Sequence, residues 1–245
     1  MAPLSRIVFG VCACTAAALF GCAVQVLETG DYAETFAPAG ASKVVLEGLD
    51  GDVVVRGVDS SGDVRIRGTQ TSIGATRRSA REGLRHAVLG AEYRADELSL
   101  SFEPPFELEG LVDLELNQRS TLPREMGLSV SVESGNLDID GLAGDLDLEA
   151  AHGDISIDDA GSAFVRAEVG TGALRYSVGL TGFYIECVAG EGTVEVDDAL
   201  LYAGAELNAE ADGTIVITYG DETSKRVELE ASGGLIVVSL SAGVP

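Results

Sequence analysis

The sequence predicts an all-β protein, a parallel β-solenoid carrying a short helix-containing insertion, and three observations predict it. A phrase of one glycine followed by alternating apolar residues recurs six times between Gly127 and Leu240: SGNLDI, HGDISI, TGALRY, EGTVEV, DGTIVI and SGGLIV. Its glycines, Gly135, Gly153, Gly172, Gly192, Gly213 and Gly233, follow one another at steps of 18 to 21 residues, a spacing typical of repeat architectures. Hydrophobic residues make up 46% of the 245 positions, yet only 5% are aromatic and there is no tryptophan. Such a composition suits a narrow aliphatic interior.

Each phrase places two side chains on one face of a period-2 strand. The expected inward pairs are Leu137/Ile139, Ile155/Ile157, Leu174/Tyr176, Val194/Val196, Ile215/Ile217 and Leu235/Val237. A second strand precedes the next glycine, with pairs Leu146/Leu148, Val165/Ala167, Ile185/Cys187, Leu207/Ala209 and Val227/Leu229. One such unit cannot bury its apolar face alone, whereas stacked equivalents close a core and satisfy each other's ladders. Six layers at about 4.8 Å each make a column on the order of 30 Å long. The same glycines would serve hairpins of an antiparallel β-sandwich, which is the alternative fold. Even spacing favours the solenoid. Gly135, Gly144 and Gly153 are nine apart, so the first layer reads as internally doubled.

Residues 1–21 read as a signal peptide. One basic residue, Arg6, precedes an apolar run from Ile7 to Phe20 that is too short to span a bilayer as a helix. The run ends Leu19, Phe20, Gly21, Cys22, and that spacing resembles the bacterial lipobox, although Phe20 stands where a small residue is usual. The resemblance implies cleavage before Cys22, lipidation of its thiol and anchoring to membrane lipid, in the outer membrane where one exists. An ordinary secretory signal is the plainer reading. Of four cysteines, Cys12 and Cys14 leave with the signal and Cys22 takes lipid, so Cys187 is unpaired and reads as core packing between Ala167 and Ala209. Removing residues 1–21 takes away one arginine and no acid, leaving 15 Lys+Arg against 40 Asp+Glu, a net charge of -25. That surface repels phosphate backbones and argues against nucleic acid partners.

Residues 22–40 lack a sustained period and read as a tether, and 41–242 as one β domain interrupted by an insertion over 70–125. Within the insertion, Ala80, Leu84, Val88 and Ala91 have helical spacing across Thr76–Tyr93 despite Gly83 and Gly90. This helix gathers Arg77, Arg78, Arg81 and Arg85, the candidate anion-binding residues. They either dock on the protein's own acids or meet anions of envelope polysaccharide or glycolipid.

The run ETFAPAGASKVVLEGLDGDVVVRGVDSSGDVRIRG, and the run LPREMGLSVSVESGNLDIDGLAGDLDLEAAHGDISID after the insertion, resemble the bacterial putative-adhesin domain family of unknown function, which is related to the head GIN domain. The resemblance spans roughly Phe36 to Leu240. It rests on Leu122, Pro123 and Arg124 leading into a strand and on the tandem phrases at Gly135 and Gly153. It implies a right-handed β-helix-like fold on exported proteins and a role in adhesion, and it carries over no catalytic residue.

The residues themselves point to no catalytic residue, no cofactor and no metal. A Ser/His/Asp arrangement would have to use His86 or His152, and His152 reads as a turn residue beside outward Asp154 and Ser156. The acid pairs Asp158/Asp159 and Asp197/Asp198 fall at turns. Stacked turn carboxylates could share calcium, but the GGxGxD repeat of calcium β-rolls is absent. The functional expectation is an exported, lipid-anchored envelope protein, a non-enzymatic adhesin-like binding or scaffolding module. Its alternatives are a β-helix enzyme acting on carbohydrate polymers and an envelope-stress sensor or regulator that binds another protein.

Overall fold

Strands form wherever apolar residues alternate, and the computed structural model describes them over residues 25–59, 62–86, 88–103, 109, 111–158, 161–162, 164–179, 183–210, 214–220 and 225–240. In chain order the elements are β1 (Val26–Phe36), β2 (Lys43–Leu49), β3 (Val53–Val58), β4 (Val64–Gly74), α1 (Arg77–His86), β5 (Val88–Arg94), β6 (Glu97–Glu103) and β7 (Leu111–Pro123). There follow β8 (Gly127–Ser134), β9 (Leu137–Asp140), β10 (Leu146–His152), β11 (Ile155–Asp158), β12 (Phe164–Val178) and β13 (Phe183–Ala189). The last are β14 (Thr193–Val196), α2 (Asp198–Tyr202), β15 (Glu206–Ala209), β16 (Ile215–Tyr219) and β17 (Arg226–Leu240). All the strands belong to one hydrogen-bonded sheet. It is mixed, with parallel and antiparallel pairs, and curls into a half-barrel.

Two parallel ladders run side by side through its middle. In the first, β6, β2, β8, β10, the leading half of β12, the leading half of β17 and β13 lie one on the next. In the second the order is β7, β3, β9, β11, the trailing halves of β12 and β17, then β14. Pairing in register puts like residues in lines. Leu98, Val44, Leu128, Leu146, Val165, Val227 and Ile185 form one line, each no more than 1% exposed. Val53, Leu137, Ile155, Leu174 and Ile236 form another. Each buried aliphatic side chain contributes about 1.5–3 kcal/mol, so these lines are the core.

The bend between the ladders explains the repeated glycine. A Cβ built on Gly135 would lie 2.1 Å from the Gly51 carbonyl oxygen, one on Gly153 1.9 Å from that of Gly135, and one on Gly172 1.8 Å from that of Gly153. Gly234 stands in the same relation to Gly172, and Gly192 to Gly234. Layers approach this closely only because no side chain intervenes.

A parallel solenoid climbed in chain order does not describe the molecule, and neither does a pair of packed antiparallel sheets. β17 lies between β12 and the β13/β14 layer, because Val227 to Val238 match β12 residue for residue. Gly234 rather than Gly233 joins the glycine line, so Ile236 and Val238 point inward and the expected pair Leu235/Val237 does not. β16 and β15 run antiparallel beyond β13. Consequently Leu207 and Ala209 are exposed, Ile217 is buried and Ile215 half-buried; Gly213 lies outside the described residues. Val194 and Val196 are half-buried because β14 pairs with β17 alone among the described strands.

The expected tether contains β1, which pairs antiparallel with β4 along all eleven residues. Its inward face carries polar Glu28, buried with Gln70, Ser72, Gln118 and Ser120 of β4 and β7. Alternation of apolar residues was therefore never there to be read. The expected insertion is likewise part of the sheet, since β6 and β7 continue both ladders. Its helix stops at His86 and β5 begins at Val88. Gly83, a helix-weakening residue on propensity, is what lets α1 lie on the sheet: a Cβ there would stand 2.2 Å from Ser72 Oγ.

Cys187 is fully buried and flanked by Leu229 and Ile215, not by Ala167 and Ala209, because β17 and β16 are its neighbours. Burial pushes its thiol up to about 12 from 9.0. With Cys12, Cys14 and Cys22 changed to serine, the folded protein should therefore be inert to Ellman's reagent at pH 8 and react only on adding denaturant. The raised value also means the contribution to stability is intact below about pH 9 and is lost as pH climbs toward 12. Rapid labelling of the native protein would contradict this placement.

Candidate functional site

Two arginine groups lie at the end of the sheet built by β1, β4 and β7, one on each side. The expected one is on α1, whose start is capped by Thr76 and Ser79: Ser79 N donates to Thr76 Oγ1 and Thr76 N to Ser79 Oγ, both at 3.1 Å. The helix crosses β1 and β4 above Glu28, whose side chain is only 5% exposed. Arg77 Nε donates to Glu28 Oε1 at 2.8 Å, and Arg81 Nε lies 3.3 Å from the same oxygen. A buried carboxylate needs such partners. Arg78 donates to Glu82 at 2.9 Å, one helical turn away, and Arg85 is exposed without an ion pair among the described residues. The four residues are thus divided. Arg77 and Arg81 hold α1 to the sheet, while Arg78 and Arg85 face outward with one acid between them. The side chain of His86 lies outside the described residues.

The second group was not singled out from the sequence. Strand alternation in VRIRGT and LNQRST points Arg65, Arg67 and Arg119 to the outer face, where all three are exposed. Arg67 on β4 stands directly opposite Arg119 on β7, and β7 pairs in parallel with β3, which carries outward Arg56. Arg56 is satisfied by Asp138 and Asp140 of β9. Arg65, Arg67 and Arg119 have no ion pair or side-chain hydrogen bond among the described residues. Beside them runs a row of acceptors, Asp31, Thr69 and Asn117 in register across β1, β4 and β7, followed by Asp52. Asp31 accepts from Thr69 Oγ1 at 3.3 Å and Asn117 Oδ1 from the Asp52 amide at 3.0 Å. Arg67 and Arg119 on one side and Asp31, Thr69, Asn117 and Asp52 on the other line an open groove of about 620 Å³, with Arg65 two residues along β4 beyond it. Its signal, arginine at every second residue, was legible; the juxtaposition of β4 with β7 was not.

The corner acids have structural partners. Asp52 Oδ1 accepts from the Asn136 backbone and side chain, Asn136 Oδ1 from the Asp154 amide, and Asp154 from Ala173 N and Arg175 Nη1. The Arg175 hydrogen bond, then that from Ala173, holds the Asp154 carboxyl below its ordinary value. His152 meets Thr171 across the ladder at 2.8 Å and is exposed. Among the described residues no three His, Cys, Asp or Glu side chains are grouped to hold a metal. Cys187 is sealed in the core. Lys225 is buried with its ammonium 5.6 Å from the centre of the Tyr176 ring, and burial holds its pKa down to about 8. No helix among the described residues is long and apolar enough to cross a membrane. Cys22 lies outside those residues.

No protein-family model and no curated protein matches the chain. Its structure is similar to that of a putative cell adhesion protein from Clostridium sporogenes, with a TM-score of 0.59 and 15% identity over 87% of this chain and 100% of that one. A putative adhesin from Bacteroides fragilis matches with a TM-score of 0.36 and 13% identity over 87% of this chain and 96% of that one. The first of these establishes a shared fold.

Proposed function

We propose that the chain is an exported, lipid-anchored protein of the bacterial cell envelope that acts as a non-enzymatic, adhesin-like binding or scaffolding module. The observation that carries this reading is the likeness in fold, along the whole length of the Clostridium sporogenes protein, to a molecule named for cell adhesion. A rigid sheet with polar outer grooves suits such a role, because the sheet fixes side chains at strand spacing without moving parts. We read the layers β8/β9, β10/β11 and β12, which follow one another in chain order, as a short right-handed solenoid segment, supported by their unbroken parallel register.

The lipobox-like step from Leu19 to Cys22 supplies the anchor in this reading. Buried lipid stabilises membrane residence by about 0.8 kcal/mol per methylene, so several acyl chains hold firmly. Cys22→Ala should move the protein from the membrane pellet to the soluble fraction and abolish incorporation of labelled palmitate. A variant that stays in the pellet would end the lipoprotein reading.

A further inference from the structure

We infer that the outer groove across β1, β4 and β7 binds an acidic polysaccharide, a sugar chain bearing carboxylate or phosphate groups. This names the ligand class for the envelope-binding role proposed above and rests on it.

Placing like charges directly opposite on antiparallel strands works against pairing, yet Arg67 faces Arg119 with Arg65 two residues along. Among the described residues no acid pairs with them, although acids outnumber bases 40 to 16 along the chain. The opposed pair makes no bond that holds the fold among the described residues, and it presents two guanidinium forks side by side on the open groove, with the third, of Arg65, two residues along β4. Such forks grip carboxylate and phosphate oxygens bidentately. Their neighbours Asp31, Asn117 and Asp52 are exposed or half-buried acceptors, suited to hydroxyl donors. A ligand must therefore offer anionic oxygens to one row and hydroxyls to the other, and an acidic sugar chain offers both. A bare polyanion meets repulsion from Asp31 and Asp52. The groove is open, as a polymer that enters and leaves sideways requires. Outward Ala33 and Val54, at either end of the arginine row, are short enough to let a chain pass.

The full chain in detergent should be titrated with polygalacturonate, with dextran as the neutral sugar polymer and polyphosphate as the bare polyanion. Polygalacturonate should bind, more weakly as salt rises, and more tightly than either of the others. Arg67→Gln with Arg119→Gln should weaken it at least about tenfold, the energy of one or two charge-assisted hydrogen bonds. Arg67→Lys with Arg119→Lys, which keeps the charge, should give an intermediate loss; Arg78→Gln with Arg85→Gln on α1 should give none. Melting curves accompany every variant, and the lysine pair decides the matter if the glutamine pair unfolds. Equal binding of dextran or polyphosphate overturns the inference, as does a glutamine pair that folds and binds normally, or loss in the α1 variant. The two proposals fail differently. If isolated envelopes bind the wild type and the glutamine pair alike, the groove is wrong and the envelope role stands; if they do not bind the wild type, that role itself falls.

Discussion

Gly153→Ala should destabilise the protein by more than about 4 kcal/mol. A single methyl group rarely does this. Here the new Cβ would sit 1.9 Å from the Gly135 carbonyl oxygen, and Gly153 has φ of +131°, which L side chains rarely adopt. The obstruction is backbone, so no rotamer change relieves it. Either the β9 and β11 layers part at their bend or φ shifts, and both disturb the hydrogen bond from Gly153 N to the Thr171 oxygen at 2.9 Å. Gly179→Ala is the matched control, with nothing within 4 Å of the added Cβ and no positive φ; it should change stability by less than about 0.5 kcal/mol. Urea unfolding of the two variants decides, and equal midpoints would mean the glycine line does not govern layer spacing.

Ile155→Asp should cost about as much for a different reason. Ile155 is fully buried between Leu137 and Leu174 in the second ladder, so the substitution places a carboxylate among aliphatic groups with no donor. The cost of an unpaired buried charge is several kcal/mol. Burial would raise the folded-state pKa of the introduced acid. Stability is then greatest below about pH 4, where the acid is protonated in both states, and falls as pH rises. Glu195→Gln, on the exposed side of β14, should move stability by less than about 0.5 kcal/mol at any pH. Similar losses from both substitutions would reverse the inward and outward faces.

What a layer looks like could be read from the chain, because a glycine followed by two alternating apolar residues is a local requirement of the bend. Leu137/Ile139, Ile155/Ile157 and Leu174/Tyr176 are all buried as expected. Which layer lies on which could not be read, since every layer offers its neighbours the same backbone ladder and the same aliphatic pair. SGGLIVV shows the limit: two adjacent glycines and a continuous apolar run allow either register, and only contact with β12 selects Gly234. The β1, β4 and β7 end escaped for the opposite reason. Its inward residues Glu28, Gln70, Ser72 and Gln118 are polar, so the hydrophobic period of Val64 and Ile66 stops short of it, and the arginines opposite one another on the outer face belong to segments about fifty residues apart.

The position of β17 bears on how the molecule is made. Phe164 pairs with Arg226 across 62 residues of chain, and the pairing continues to Val178 and Leu240. During synthesis from the amino end, β12 emerges with its free edge facing a gap, and β13 and β14 emerge before the strand they must rest on. Loop closure of this length is slow relative to local pairing, and an open apolar edge is where chains join wrongly. A β12 to β13 contact made early would have to be undone before β17 could enter. Loss of the last twenty residues would accordingly not trim the sheet at an edge; it would remove a strand from its middle and leave β12 parted from β13 and β14.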